Sequence, residues 1–210
     1  MHGLINQSIQ CFILDTYGPR SWEAVTCLAG LRNLNFEPML SYDDALTHQL
    51  IDAGVQTLGR PRETLLEDLG HYLVSNANVT SVRRLLRFSG VNFVDFVNAL
   101  EEFPERGHLA LPDLDLPEIE VMDQGGGQFI LKCSSILEGT GHVIVGILRA
   151  MADDYGALVT LEHLGADAQP AMSCQGAPKG GRHRPEFIAI RVADQSLYAA
   201  RPFHLGMEMA

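Results

Sequence analysis

Glu118-Ile-Glu-Val-Met122 and Gln128-Phe-Ile-Leu-Lys-Cys133 flank Asp123-Gln-Gly-Gly-Gly127. Two apolar-rich runs on either side of a glycine cluster predict a β-hairpin, because glycine reaches the positive φ of a tight turn without steric cost. Downstream, Thr140–Tyr155 carries Val143, Ile144, Ile147, Leu148 and Met151 at helical spacing, so a helix follows the hairpin. Ala157–His163 and Phe187–Val192 read as two more strands. Gly165–Pro185, rich in Gly, Pro, Ala and polar residues, reads as the long loop between them.

Upstream of the hairpin the periodicity is helical. Leu4, Ile5, Ile9, Phe12 and Ile13 define one apolar face, and Tyr17-Gly-Pro19 ends that segment. Ser21 is the expected cap of a second helix reaching about Gly30. Ser41-Tyr-Asp-Asp44 opens a third that runs to Gly59, and Arg60-Pro61 restarts a fourth with Leu65, Leu66, Leu69 and Leu73. Shorter helices are predicted over Val82–Phe88 and Asn92–Phe103. Pro104, Pro112 and Pro117 forbid one unbroken helix across 104–117. Helices first, then a small antiparallel sheet with one helix packed on it, make the fold α+β.

Composition narrows the function. Fifteen Lys+Arg against 26 Asp+Glu give a net charge of −11, which argues against nucleic acid or an anionic membrane as the main partner. Apolar runs such as Val143–Leu148 fall far short of the roughly 20 residues that span a bilayer. The opening Met1-His-Gly-Leu-Ile-Asn6 lacks a basic segment followed by a long apolar one, so a cytoplasmic chain is expected. Cys11, Cys27, Cys133 and Cys174 are widely spaced and read as reduced thiols. A zinc site built on Cys174 and His183 lacks close partners at structural-zinc spacing.

Met1-His-Gly-Leu-Ile-Asn6, Tyr17-Gly-Pro-Arg-Ser-Trp-Glu23, Tyr42-Asp-Asp-Ala-Leu-Thr47 and Val143-Ile-Val-Gly-Ile147 together resemble the heme nitric oxide/oxygen-binding (H-NOX) family. This family includes the sensor domain of the soluble guanylate cyclase β subunit. The resemblance runs in order from Met1 to about Val192. It implies one domain over 1–193, with a distal helical part at 1–60 and a proximal part at 61–193 containing a four-stranded antiparallel sheet. It also implies a b-type heme, ligated by a proximal histidine and held at its propionates by Tyr-x-Ser-x-Arg.

Carried over position by position, that chemistry is altered. Pro104 stands where the resemblance places the ligating histidine, and a proline nitrogen has no lone pair for iron. The propionate motif falls on Cys133-Ser-Ser-Ile-Leu137, which keeps Ser135 but puts Cys133 for the tyrosine and Leu137 for the arginine. Ile5, Leu73 and Val143 match the distal wall, and Pro117 matches the proline that presses on the heme plane. With no polar donor at Leu73, the wall suits an apolar gas such as nitric oxide.

His108, one helical turn after Pro104, is the candidate replacement ligand; its plainer reading is a solvated histidine. His142, at the start of the Thr140–Tyr155 helix, reads as a cap-region histidine, with a distal ligand or a pH-sensitive group as the sharper alternatives. His163 carries no assigned role. Ser135 lacks the surroundings of a nucleophile, and Gly125–Gly127 leads into a strand rather than a phosphate-binding helix, so no enzyme is expected.

Residues 194–210 form a tail whose Ala200-Arg-Pro-Phe-His-Leu-Gly206 resembles the segment after the heme domain of guanylate cyclases. The expected function is a sensor or regulatory domain acting through a separate cyclase or histidine kinase. Two readings stay open. One is a heme-free interaction module whose cavity is empty, filled by side chains or occupied by another apolar molecule; the other is a heme-binding nitric oxide sensor that uses His108. The substitutions favour the first.

Overall fold

The computed structural model describes residues 2–31, 35–76, 86, 90–110, 112, 114–166 and 184–193. Helix α1 (Gly3–Tyr17) buries Ile9, Phe12 and Ile13, and the His2 ring caps it by accepting from the Leu4 N–H at 3.2 Å. Gly18, at φ 85°, turns the chain directly into α2 (Pro19–Leu28). Proline fits a first helical turn because its missing N–H has no partner there anyway. The helix therefore starts before Ser21, and Ser21 is not the cap; its hydroxyl donates back to the Tyr17 carbonyl at 2.9 Å. Helix α3 (Asp44–Leu58) is capped by Asp43, whose Oδ1 accepts from Ala45 N at 3.0 Å, and it ends on left-handed Gly59. Helix α4 (Arg62–Ser75) begins after Pro61. The helix expected at 82–88 lies outside the described residues except for Leu86, which is helical and buried.

Helix α5 (Phe93–Asn98) is capped by Asn92 and tightens into a 3-10 turn at Ala99–Glu102. The chain then re-enters a helix, α6 (Phe103–Ala110), with Pro104 in its first turn. The proline thus restarts a helix here, and α6 stops short of Pro112, so no unbroken helix spans 104–117. Strands β1 (Glu118–Gly125) and β2 (Gln128–Ser135) form the hairpin, with Gly125, Gly126 and Gly127 all at positive φ. Helix α7 covers Thr140–Tyr155, then β3 (Val159–Gly165) and β4 (Arg184–Val192) complete the sheet. β3 starts two residues later than expected because Gly156 and the Ala157 N–H still close the last turn of α7. The order is β1-β2-β4-β3 and every pairing is antiparallel. Most of the long loop after β3, with Cys174, His183 and the tail at 194–210, lies outside the described residues.

Two apolar clusters result. Ile9, Phe12, Ile13, Leu50, Ile51, Leu65 and Leu66 fill the helical half. Phe96, Leu131, Leu148, Met151, Ile188 and Ile190 fill the sheet half. Helix α4, placed in the proximal part by the sequence division at residue 60, gives Leu65, Leu66, Leu69 and Tyr72 to the helical cluster and only Val74 to the other. An apolar stripe records that a face is buried but not which neighbour buries it.

Helices α4 and α7 join the halves by direct backbone contact. A Cβ at Gly70 would collide with the Val143 carbonyl, and a Cβ at Gly146 with the Glu67 carbonyl. Backbone cannot rotate out of the way as a side chain can. Gly146→Ala is therefore expected to lower stability by about 1–3 kcal/mol, as overpacking does, measured as a drop in the urea midpoint of the purified chain.

Candidate functional site

The positions singled out in the sequence come together in part. Ile5 on α1, Leu73 on α4 and Val143 on α7 are half-buried against the helical cluster, and Leu137 joins the same cluster from the segment between β2 and α7. Pro117 is half-buried just before β1. Ser135, at the end of β2, uses its hydroxyl locally, accepting from the Leu137 N–H at 3.3 Å. A small void in the helical half, lined by Ile9, Phe12, Leu50, Ile51 and Leu69, measures about 10 Å³, space for about one water.

His108 does not join this set. Gly107 is the buried residue of that turn, and a Cβ on it would strike the Leu116 side chain. One residue turns a helix by about 100°, so packing Gly107 inward leaves His108 exposed beside Leu109, which is 87% exposed. Arg106 on the same helix donates to the Ala99 carbonyl at 2.9 Å and fixes that register. His108 is therefore a solvent-exposed residue of α6.

Cys133 is 1% exposed, between Ile119 of β1 and Glu186 of β4 in the sheet register. Burial, and secondarily the Glu186 carboxylate, push its thiol up to about 12. It is protonated at neutral pH and is neither a thiolate nor a phenol-like donor.

Beside Cys133 the structure gathers four groups that no local spacing announced. Glu186 Oε1 accepts from the Gly139 N–H at 3.0 Å, and Oε2 accepts from the Gly141 N–H at 3.1 Å. The carboxylate thereby satisfies the start of α7 and complements its dipole. His163 Nε2 lies 2.8 Å from Glu186 Oε2. The His163 ring stacks on that of His142, with centroids 3.9 Å apart and planes 32° from parallel. His142 Nδ1 is 3.4 Å from Glu67 Oε1, and Arg149 donates to Glu67 Oε2 at 3.0 Å. Gly141 is required here, since a Cβ would fall 2.5 Å from Glu186 Oε2 and 2.6 Å from His163 Nε2. The cluster borders a cleft of about 360 Å³ that Ser135, Ile136, His48 and Arg62 also line.

One signal of this cluster is in the sequence. Strand β4 turns Ile188, Ile190 and Val192 inward and β3 turns Val159 and Leu161 inward; Glu186 and His163 occupy the same alternating register. An acid and an imidazole in apolar register demand a partner.

A helical half set against a four-stranded antiparallel sheet is the architecture of the H-NOX class. The Haem-NO-binding family matches residues 2–163, and the chain belongs to that family. Among its relatives, soluble guanylate cyclase gcy-31 of Caenorhabditis elegans is 25% identical over 154 residues, 73% of this chain and 22% of that protein. Guanylate cyclase soluble subunit beta-2 of Rattus norvegicus is 26% identical over 93 residues, 44% of this chain and 14% of that subunit. The chain thus spans about a fifth of the cyclases it resembles. An H-NOX protein from S. oneidensis in the Fe(II) ligation state superposes with a TM-score of 0.72 at 16% identity, covering 92% of this chain and 97% of that one. The Cs H-NOX variant carrying 4-cyano-L-phenylalanine gives 0.72 at 11% identity, covering 92% and 97%. These similarities show a common fold. Among the described residues, no helix is long and apolar enough to cross a membrane.

Cys133 supplies a test of the site's burial. A thiol raised from 9.0 to about 12 in the folded state contributes stability that is intact below pH 9 and lost as pH rises toward 12. The urea midpoint is expected to fall across that window, and to fall less in Cys133→Ala. Tyr72, raised mainly by burial and by its 2.6 Å bond to Asp15, adds to the alkaline loss in both proteins.

Proposed function

We propose that this chain is a regulatory H-NOX domain that works without a ligated heme and acts through a separate signalling protein, of the cyclase or histidine kinase type. The observation that carries the reading is the donor set. Pro104 offers iron no lone pair, Cys133 is a buried protonated thiol, and Leu137 offers propionates no charge. The exposure of His108 supports the same reading. Two carboxylates beside Leu137, without a cation, carry a desolvation cost of several kcal/mol, and the Glu186 carboxylate nearby adds repulsion. The residues present do not fit a b-type heme.

Ile5, Leu73 and Val143 are apolar and pack on the helical cluster, which favours a small apolar occupant or a diatomic gas held by shape rather than by a metal. The partner assignment rests on the relatives, which are guanylate cyclases several times longer than this chain. In such proteins a sensor domain modulates chemistry performed elsewhere.

Heme titration of the purified chain tests the proposal. The expected outcome is no stoichiometric Soret band under saturating heme, with a band gained in the Pro104→His, Cys133→Tyr, Leu137→Arg triple variant. A stoichiometric band in the unaltered chain that disappears in His108→Ala overturns the heme-free reading in favour of a nitric oxide sensor with a shifted ligand.

A further inference from the structure

The charged cluster at the start of α7 is placed where both halves of the fold meet. Glu67 comes from α4, His142 from α7, His163 from β3 and Glu186 from β4. Their side chains are only 13–23% exposed. A neutral imidazole has one N–H to give. His163 directs it from Nε2 to Glu186, and His142 from Nδ1 to Glu67, so the tautomers are set by the two carboxylates.

Charge decides how many protons the pair tolerates. With both rings neutral, two carboxylates and Arg149 leave a single negative charge in the cluster. One added proton cancels it. A second puts cations in two rings whose centroids are 3.9 Å apart, where solvent screens them little.

The surrounding carboxylates, Glu63 and Glu138, are exposed, so solvent screens their charge from the buried pair. Arg62 and Glu63 on α4, with Glu138 before α7, face the same cleft, and Arg62 is already engaged with Asp52 on α3. His48 on α3 lines the far side, Ser135 is neutral, and Cys133 holds its proton.

We propose that these four groups form a proton-operated catch, closed while the histidine pair carries at most one proton and released when both rings are charged. Release withdraws Glu186, with His163 bonded to it, so that the Gly139 and Gly141 amides lose their acceptor, and it parts His142 on α7 from Glu67 on α4. The start of α7 carries Val143, and the segment leading into it carries Leu137. The proton is therefore an input that reshapes the apolar wall, and a partner protein reads the loosened junction. Histidine gains its charge between about pH 8 and 5, so the catch responds to mild acidification. It operates whether or not a heme binds.

Amide exchange of Gly139 and Gly141, followed by NMR on the full chain and corrected for the intrinsic pH dependence of exchange, tests the catch. Protection is expected to fall by about tenfold or more between about pH 7.5 and 5. In His142→Gln, which keeps a donor for Glu67 but cannot charge, the fall should vanish. His71→Gln, outside the cluster, should retain it. Protection that is constant across the range overturns the proposal, as does a fall of the same size in His142→Gln. His163→Gln is a second check, and His142→Gln decides alone if that variant does not fold.

Discussion

The crossing of α4 and α7 is the contact on which the remaining structure depends. Glycines at Gly70 and Gly146 remove the side chains that would hold two helices apart, and each faces a carbonyl of the opposite helix. The pair can therefore be shared by both cores: Leu65, Leu66, Leu69 and Val143 look toward the helical cluster, while Val74, Ile144, Val145 and Leu148 look toward the sheet. Without that close approach the two clusters would be separate small cores, each marginal alone. Leu73 and Val143 sit on the same two helices, so their placement against the helical cluster follows from the crossing.

The charged side chains at this junction are paired with one another. Glu186 serves the Gly139 and Gly141 amides and His163 together, and Glu67 serves His142 and Arg149. Such a network gives directional contacts to a seam that apolar packing alone would leave free to slide. In the helical half, Thr47 donates to Asn6 Oδ1 at 2.7 Å in a site where both residues are fully buried. That bond sets the register of α1 against α3 in the same way.

Much of the architecture was legible in the sequence because local rules and tertiary packing agreed. The hairpin followed from three consecutive glycines, and α7 matched its apolar spacing from Thr140 to Tyr155. Where two local signals competed, the stronger steric one prevailed: Pro19 set the start of α2 ahead of Ser21. The allocation of α4 between the halves was not legible, since a stripe of leucines does not name its neighbour. The reading of Pro104, Cys133 and Leu137 as substitutions rests on the order of the motifs around them. The cluster at the start of α7 was the least readable, because Glu67 and His142 are 75 residues apart and His163 and Glu186 are 23 apart. Only the inward register of an acid and an imidazole hinted at it.

The strand order has a consequence for how the chain is made. β4 lies between β2 and β3, yet it is the last of the four to be synthesised. Until Arg184–Val192 leaves the ribosome, β2 and β3 have no common neighbour and the apolar face of α7 has only part of its cover. The helical contacts of α1 to α4 are complete far earlier. Until that closing strand is made, the facing edges of β2 and β3 stay unpaired, a stage exposed to wrong pairing.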